Sequence, residues 1–316
     1  MRVARYLGGG EVAIVRESEP TCPEGGLLVQ TEACGLCSGE LMSWYMDRKI
    51  PHVLGHEVSG VVLESRTDQF KPGDHVFPHH HAPCLNCEFC WRGQYVHCAQ
   101  WKRTKLVPGG MAERFAVSAE NLTDTHLVGD LRPRDAALVE PLACVVKSVS
   151  LAEELGGECA VVGLGAMGLL HMLYLAPCAV GYELNPARRE RASELGLDAR
   201  SPEETEPASV VFVCPGSQAA FDFALKVAKP GGLIVMFAPV GPGDSIQIPQ
   251  DVYFRDLRIA HSYSCGPNDV AAALKAIRSG VVKAEQVCSD FIELDQLPEA
   301  YKQMKSGQIL KPMVLF

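Results

Sequence analysis

Gly163-Leu164-Gly165-Ala166-Met167-Gly168 follows the apolar run Cys159-Ala160-Val161-Val162 and opens the segment Leu169 to Ala176. A strand that ends in a glycine turn and feeds a helix sets backbone N–H groups and a helix N-terminus where a pyrophosphate can sit, and glycines allow the close approach. A second apolar run, Cys178 to Tyr182, ends in Glu183. That is roughly 20 residues on, where an acid takes the ribose hydroxyls of a dinucleotide. Gly163, Gly165, Ala166, Met167, Gly168 and Glu183 are therefore the expected cofactor contacts, and the acid favours NAD over NADP. The arginines from Arg188 to Arg191, on a helix expected from Pro186 to Leu195, read as a solvated face.

Around this turn, residues 141–267 alternate apolar strands with helices, the pattern of a doubly wound parallel sheet. Val210 to Cys214, Leu233 to Phe237 and a strand near Arg258 to Tyr263 continue it. Between Leu197 and Val210 the chain offers little beyond Ser201-Pro202-Glu203-Glu204-Thr205-Glu206-Pro207, too short for a full crossover helix, so a Rossmann layer trimmed by one helix is expected. A helix over Asp269 to Ser279 and the tail from 268 to 316 lie beyond it.

Residues 1–140 read instead as short β runs broken by Gly and Pro: Leu27 to Ala33, Gly60 to Glu64 and Asp74 to Phe77, with a turn at Lys71-Pro72-Gly73-Asp74. A barrel-like β domain is expected, with two metal clusters. Cys37 and Glu40 fall in Gly35-Leu36-Cys37-Ser38-Gly39-Glu40, and His56 and Glu57 in Gly55-His56-Glu57. A thiolate, an imidazole and carboxylates from separated loops make an incomplete tetrahedron around Zn²⁺, with a position open to water or substrate, as in catalytic sites. Cys84, Cys87, Cys90 and Cys98 form the second cluster. Four thiolates so dense read as a closed, structural zinc site. An iron–sulfur cluster is the rival, but the bacterial ferredoxin run places three residues before its last cysteine and then Pro, whereas seven precede Cys98 and Ala99 follows. His79-His80-His81 reads as a packed or solvated loop in preference to a metal site, and Trp44, Tyr45 and His52 as packing residues or pocket walls.

The chain has 316 residues, 47% hydrophobic and 21% charged, with 29 basic against 38 acidic side chains and a formal charge of −9. This balance disfavours nucleic acid and anionic membranes as partners and suits a small-molecule substrate. The N-terminal Met1-Arg2-Val3-Ala4-Arg5-Tyr6-Leu7 lacks a signal-peptide core, and the thirteen cysteines then point to reduced thiols in the cytoplasm.

The order of these motifs resembles the zinc-dependent medium-chain dehydrogenase/reductase family over nearly the whole chain, nearest its sorbitol-type polyol and threonine dehydrogenases. The resemblance implies a GroES-like N-terminal fold, with Cys37, His56 and Glu57 around a catalytic zinc. Val139-Glu140-Pro141-Leu142-Ala143-Cys144 resembles the family's EPL motif, which implies Glu140 as a further ligand in preference to Cys144. Glu40 matches an acid that holds the zinc-bound histidine, fixing its tautomer. Two positions depart from the pattern: Gly39 stands where relatives carry the hydroxyl of a proton relay, and Met42 where many carry histidine. Ser38 is the candidate substitute hydroxyl, with water or Glu57 as the alternative routes for the proton. The resemblance further implies a homo-oligomer, dimer or tetramer, and a cleft between domains where zinc and nicotinamide meet. The expected activity is hydride transfer from a secondary alcohol, of a polyol, sugar or amino-alcohol, to NAD. A simple alcohol or threonine dehydrogenase is the alternative within the class, a zinc-free quinone reductase is disfavoured by the joint presence of Cys37, His56 and Glu140, and a non-catalytic NAD-sensing or structural zinc protein is the reading from another class.

Overall fold

Short strands in which buried and exposed side chains alternate build the first part of the chain. The computed structural model describes residues 1–316 in two units, Met1–Ala143 with Cys265–Phe316, and Cys144–Ser264.

In the first unit, β1 (Arg2–Gly8) and β2 (Glu11–Arg16) form a hairpin, and β1 also pairs with β4 (His52–Val53). The hairpin lies outside the strands expected from the sequence, although its turn glycines Gly9 and Gly10 are visible there. The main sheet centres on β3 (Leu27–Gly35), paired antiparallel with β5 (Glu57–Ser65) and β7 (Arg114–Val117); β6 (His75–Pro78) and β8 (Thr125–Leu127) extend it. Along β3 burial alternates from Leu27 to Thr31 and becomes continuous from Ala33 to Gly35, where the strand enters the core. Its end delivers Cys37, and the start of β5 delivers His56 and Glu57. Tyr6, Val29, Leu36, Val58, Phe115, Tyr301 and Val314 belong to the apolar core around them.

The second unit is one parallel sheet ordered β11-β10-β9-β12-β13-β14, with strands Cys159–Val162 (β9), Ala179–Tyr182 (β10), Asp198–Arg200 (β11), Ala208–Val213 (β12), Ala228–Met236 (β13) and Arg258–His261 (β14). Numbered within the unit this is 3-2-1-4-5-6, the dinucleotide-binding order, whose switch point lies between β9 and β12. The expected helices form at Ala166–Leu175 and Pro186–Glu194. The connection 201–207 carries no helix, so the layer is trimmed where the short sequence interval required it. Gly163 takes φ +84°, and a Cβ on Gly168 would lie 1.9 Å from the Gly163 carbonyl oxygen, so both are glycine for geometric reasons.

The chain returns to the first unit through the helix Pro267–Arg278 and then β15 (Asp290–Ile292) and β16 (Pro312–Leu315). β16 pairs antiparallel with β3, Met313 opposite Gly35, so the last residues lie against the strand that leads to Cys37. No helix is long and apolar enough to cross a membrane.

On the helix Ala166–Leu175, His171 is fully buried. Its Nδ1 donates to the Met167 carbonyl at 2.8 Å, and its Nε2 accepts from Ser148 Oγ at 3.1 Å, a pairing that suits the neutral ring. Burial, opposed by the Met167 carbonyl, brings its pKa down to about 4. The unfolded chain takes up this proton near 6.5 and the folded chain only near 4, so the contribution is complete above about pH 6.5 and is lost as pH falls through 4. Urea unfolding at pH 7 and again near pH 4 should show His171→Gln losing less stability on acidification than wild type, by up to roughly 3 kcal/mol; parallel losses in the two proteins would contradict this.

Candidate functional site

The loop after β3 turns into a 3₁₀ segment, Ser38–Leu41, capped by Cys37. Gly39 N–H donates to Cys37 Sγ at 3.4 Å, and Cys37 N–H donates to Glu40 Oε2 at 3.4 Å. Glu40 is buried, accepts from Gly55 N–H at 2.7 Å and faces His56 Nδ1 at 3.4 Å. Tyr301 Oη donates to the Glu40 carbonyl at 2.8 Å and pins the turn from the C-terminal helix Leu297–Ser306. Burial alone would push the Glu40 carboxyl up, but His56 and the Gly55 N–H outweigh it and hold its pKa at about 2. Burial likewise works against a charged His56, yet Cys37 and Glu40 raise its pKa well above the usual histidine range.

Cys37, His56 and Glu57 bring a sulfur, a nitrogen and an oxygen within 4.8 Å of one another. Glu57 is fully buried; its Oε2 pairs with Lys311 Nζ from the segment entering β16, and its Oε1 has no hydrogen-bond partner. Lys311 Nζ also donates to the Leu36 carbonyl at 3.0 Å, immediately before Cys37. Burial opposes the lysine's charge, but Glu57 raises its pKa above the ordinary lysine value. An orphaned carboxylate oxygen beside a thiol and an imidazole is a donor set that fits an open zinc site.

Glu140, which the resemblance gives as a further ligand, starts the helix Val139–Ser150 close enough to the Cys37 group that His56 and Glu57 are the largest charges acting on its carboxyl. Its carboxylate groups with His79 and His80, and burial raises its pKa. Ser38 is exposed, and a Cβ at Gly39 would stand 3.5 Å from Cys37 Sγ, so the position that relatives fill with a hydroxyl borders the thiol and carries none. Tyr45 is part-exposed, with Lys49 Nζ 3.8 Å from its ring centre, a surface contact.

The sulfurs of Cys84, Cys87, Cys90 and Cys98 also lie within 4.8 Å of one another, with Cys87 and Cys90 3.5 Å apart. Sulfurs on a tetrahedral zinc stand about 3.8 Å apart, so the four fit one closed site. Burial pushes the Cys98 thiol up, but N–H groups including that of Cys84, 3.3 Å away, bring it down to about 6, towards the thiolate a metal needs.

In the second unit, Glu183 closes β10: its Oε2 accepts from Leu164 N–H at 2.8 Å and its Oε1 from Asn185 N–H at 2.9 Å. The carboxylate is thereby tied to the glycine turn. Arg188 reaches within 3.9 Å of it, while Arg189 donates to the carbonyls of Glu183 and Leu184. A Cβ at Gly165 would meet nothing within 4 Å, leaving the open cradle that a pyrophosphate requires.

Lys311 and Tyr301 were not read from the sequence, whereas His79, read there as part of a packed or solvated loop, is fully buried. A single lysine in the otherwise apolar end Ile309-Leu310-Lys311-Pro312-Met313-Val314 was the available signal for Lys311; Tyr301 depends on distant packing.

Residues 23–126 match the alcohol dehydrogenase GroES-like domain family. The chain is 28% identical to D-altritol 5-dehydrogenase of Agrobacterium fabrum, covering 98% of each chain. It is 24% identical to D-xylulose reductase A of Aspergillus oryzae over 91% of this chain and 88% of that one. A zinc-binding dehydrogenase from Sinorhizobium meliloti, solved bound to NADP, superposes with a TM-score of 0.87 at 23% identity over 100% of this chain and 99% of that one.

Removing Lys311 leaves the Glu57 carboxylate buried without its cation. Lys311→Met should lower stability by about 3–5 kcal/mol in chemical denaturation, and adding Glu57→Gln should recover part of it; a cost under about 1 kcal/mol would show that the pair does not hold this corner of the fold.

Proposed function

We propose that this chain, a member of the zinc-dependent medium-chain dehydrogenase/reductase family, oxidises a secondary alcohol to a ketone and passes the hydride to NAD. The observation that carries this reading is the convergence of Cys37, His56 and Glu57, with the buried Glu57 Oε1 lacking a partner. When bound, zinc would supply the Lewis acidity that makes an alkoxide accessible near neutral pH, and NAD the acceptor for the hydride.

The residues divide the remaining work. Cys37 Sγ, His56 and Glu57 would hold the ion, and Lys311, paired with Glu57 Oε2, leaves Oε1 as the carboxylate oxygen available to it. Glu40 at His56 Nδ1 fixes the tautomer and leaves Nε2 as ligand. Ser38, exposed next to Cys37, takes the alcohol proton to solvent in place of the hydroxyl missing at Gly39. Cys84, Cys87, Cys90 and Cys98 hold a structural zinc. The backbone from Gly163 to Gly168 receives the pyrophosphate, and Glu183, already oriented by Leu164 and Asn185, takes the ribose hydroxyls and disfavours a 2′-phosphate.

The relatives named for D-altritol and D-xylulose support a polyol or sugar as substrate. Family resemblance supports a homodimer or tetramer, and thirteen free cysteines suit a reducing, cytoplasmic setting.

NAD reduction by wild-type protein on a panel of polyols and other secondary alcohols should exceed NADP reduction. Cys37→Ala should lose one zinc relative to wild type and lower the rate more than about a hundredfold. NAD binding without turnover on any alcohol would overturn the dehydrogenase reading in favour of a sensing or structural role.

A further inference from the structure

Near the Cys37 group the fold places cations that it leaves without acids. In a chain of net charge −9, residues 99–112 carry three basic side chains, Lys102, Arg103 and Lys105, and no acid. Residues 41–56 hold Arg48 and Lys49 against one acid, Asp47, whose Oδ1 already accepts from Tyr6 Oη at 2.7 Å and from Gly9 N–H at 2.9 Å. Lys49 Nζ stands 3.8 Å from the Tyr45 ring centre, Lys105 is exposed, and neither lysine takes part in an ion pair.

Contacts tie both lysines to the site. His81 Nδ1 donates to the Thr104 carbonyl at 2.9 Å, and Ala82 N–H donates to Thr104 Oγ1 at 2.8 Å, which fixes the backbone that carries Lys105. The His81 ring centre is 4.1 Å from that of His80, and the His80 ring centre 4.8 Å from that of His56. Three residues after Lys49, His52 feels both segments: burial lowers its pKa, Glu40 opposes this, and Lys49, His56 and Lys105 add to it. Exposed lysines are ordinarily a solvated face. Here two separate segments bring them to one histidine beside His56, whose side chain is 24% exposed and so within reach of an entering ligand. The acids on that side are already answered, Glu40 by Gly55 N–H and His56, and Glu57 by Lys311.

We infer that Lys49 and Lys105 receive an anionic group, a phosphate or a carboxylate, carried on the substrate's carbon chain away from the reacting alcohol. The substrate class is then a phosphorylated polyol or a sugar acid, in preference to a neutral polyol. That identity rests on the dehydrogenase reading, whereas the anion contact depends on the two lysines alone. An ammonium is a compact point charge that accepts either anion without a fixed geometry, and unpaired cations in an acidic chain concentrate anions locally.

The test is isothermal titration calorimetry of the zinc-loaded, NADH-bound protein, a state that cannot oxidise an alcohol, with sorbitol, sorbitol 6-phosphate and gluconate. At least one anion should bind about tenfold more tightly than sorbitol, and which one identifies the group. Lys49→Gln with Lys105→Gln should remove that preference, while Arg103→Gln, whose charge acts on Glu120 instead, should keep it. Equal affinities for the three ligands, binding of none, or a preference that survives in the double variant would overturn the inference. NAD reduction is read separately. Oxidation of sorbitol alongside equal affinities overturns the anion contact and leaves the dehydrogenase reading standing; an anion preference without NAD reduction by any of the three does the reverse.

Discussion

A lysine and a glutamate, each about 1% exposed, meet in the core of the first unit, and much of the unit's architecture follows from that pair. Neither charge is tolerable there alone. Lys311 comes from the final segment of the chain and Glu57 from the start of β5, so satisfying the pair requires the chain to return and β16 to lie against β3. Strand β3 makes room by ending in Gly35, where a Cβ would lie 2.3 Å from Glu57 Oε2. The lysine's second bond, to the Leu36 carbonyl, sets the backbone from which Cys37 projects. One interaction thus joins the last strand, the central strand and the open ligand group, and it divides the Glu57 carboxylate between a structural oxygen and a free one.

The glycine turn shows why the nucleotide unit was legible. Its information is local: β9 runs over Cys159–Val162 as read, the turn follows at once, and Glu183 ends the next strand with its carboxylate hydrogen-bonded to the turn itself. Even the missing crossover helix could be read, because seven polar and proline-containing residues from 201 to 207 cannot build one. The first unit was read less fully. Its strands are short and cross-connected, so the β1–β2 hairpin went unread and the observed strands β3 and β5 run past their expected ends, burying the very residues that lead into the site.

The same contrast divides the site residues. The four cysteines are close in sequence, and their spacing suffices to gather the sulfurs. Cys37, His56 and Glu57 were legible through motif, with Glu40 beside them. Lys311 and Tyr301 approach from more than 250 positions away, and only the fold reveals them. Glu140 was legible through its motif, but its contacts with His79 and His80 were not, because those histidines are positioned by the end of β6 and by the Asp124 contact. What sequence spacing cannot encode is which buried polar group answers which.

The most direct test of the central claim is a crystal structure of the zinc-loaded protein with an anomalous difference map collected at the zinc edge. A peak bounded by Cys37 Sγ, His56 Nε2 and Glu57 Oε1, with Lys311 still on Glu57 Oε2, is the expected result. A map with density at the four-cysteine cluster and none at Cys37, His56 and Glu57 would contradict it.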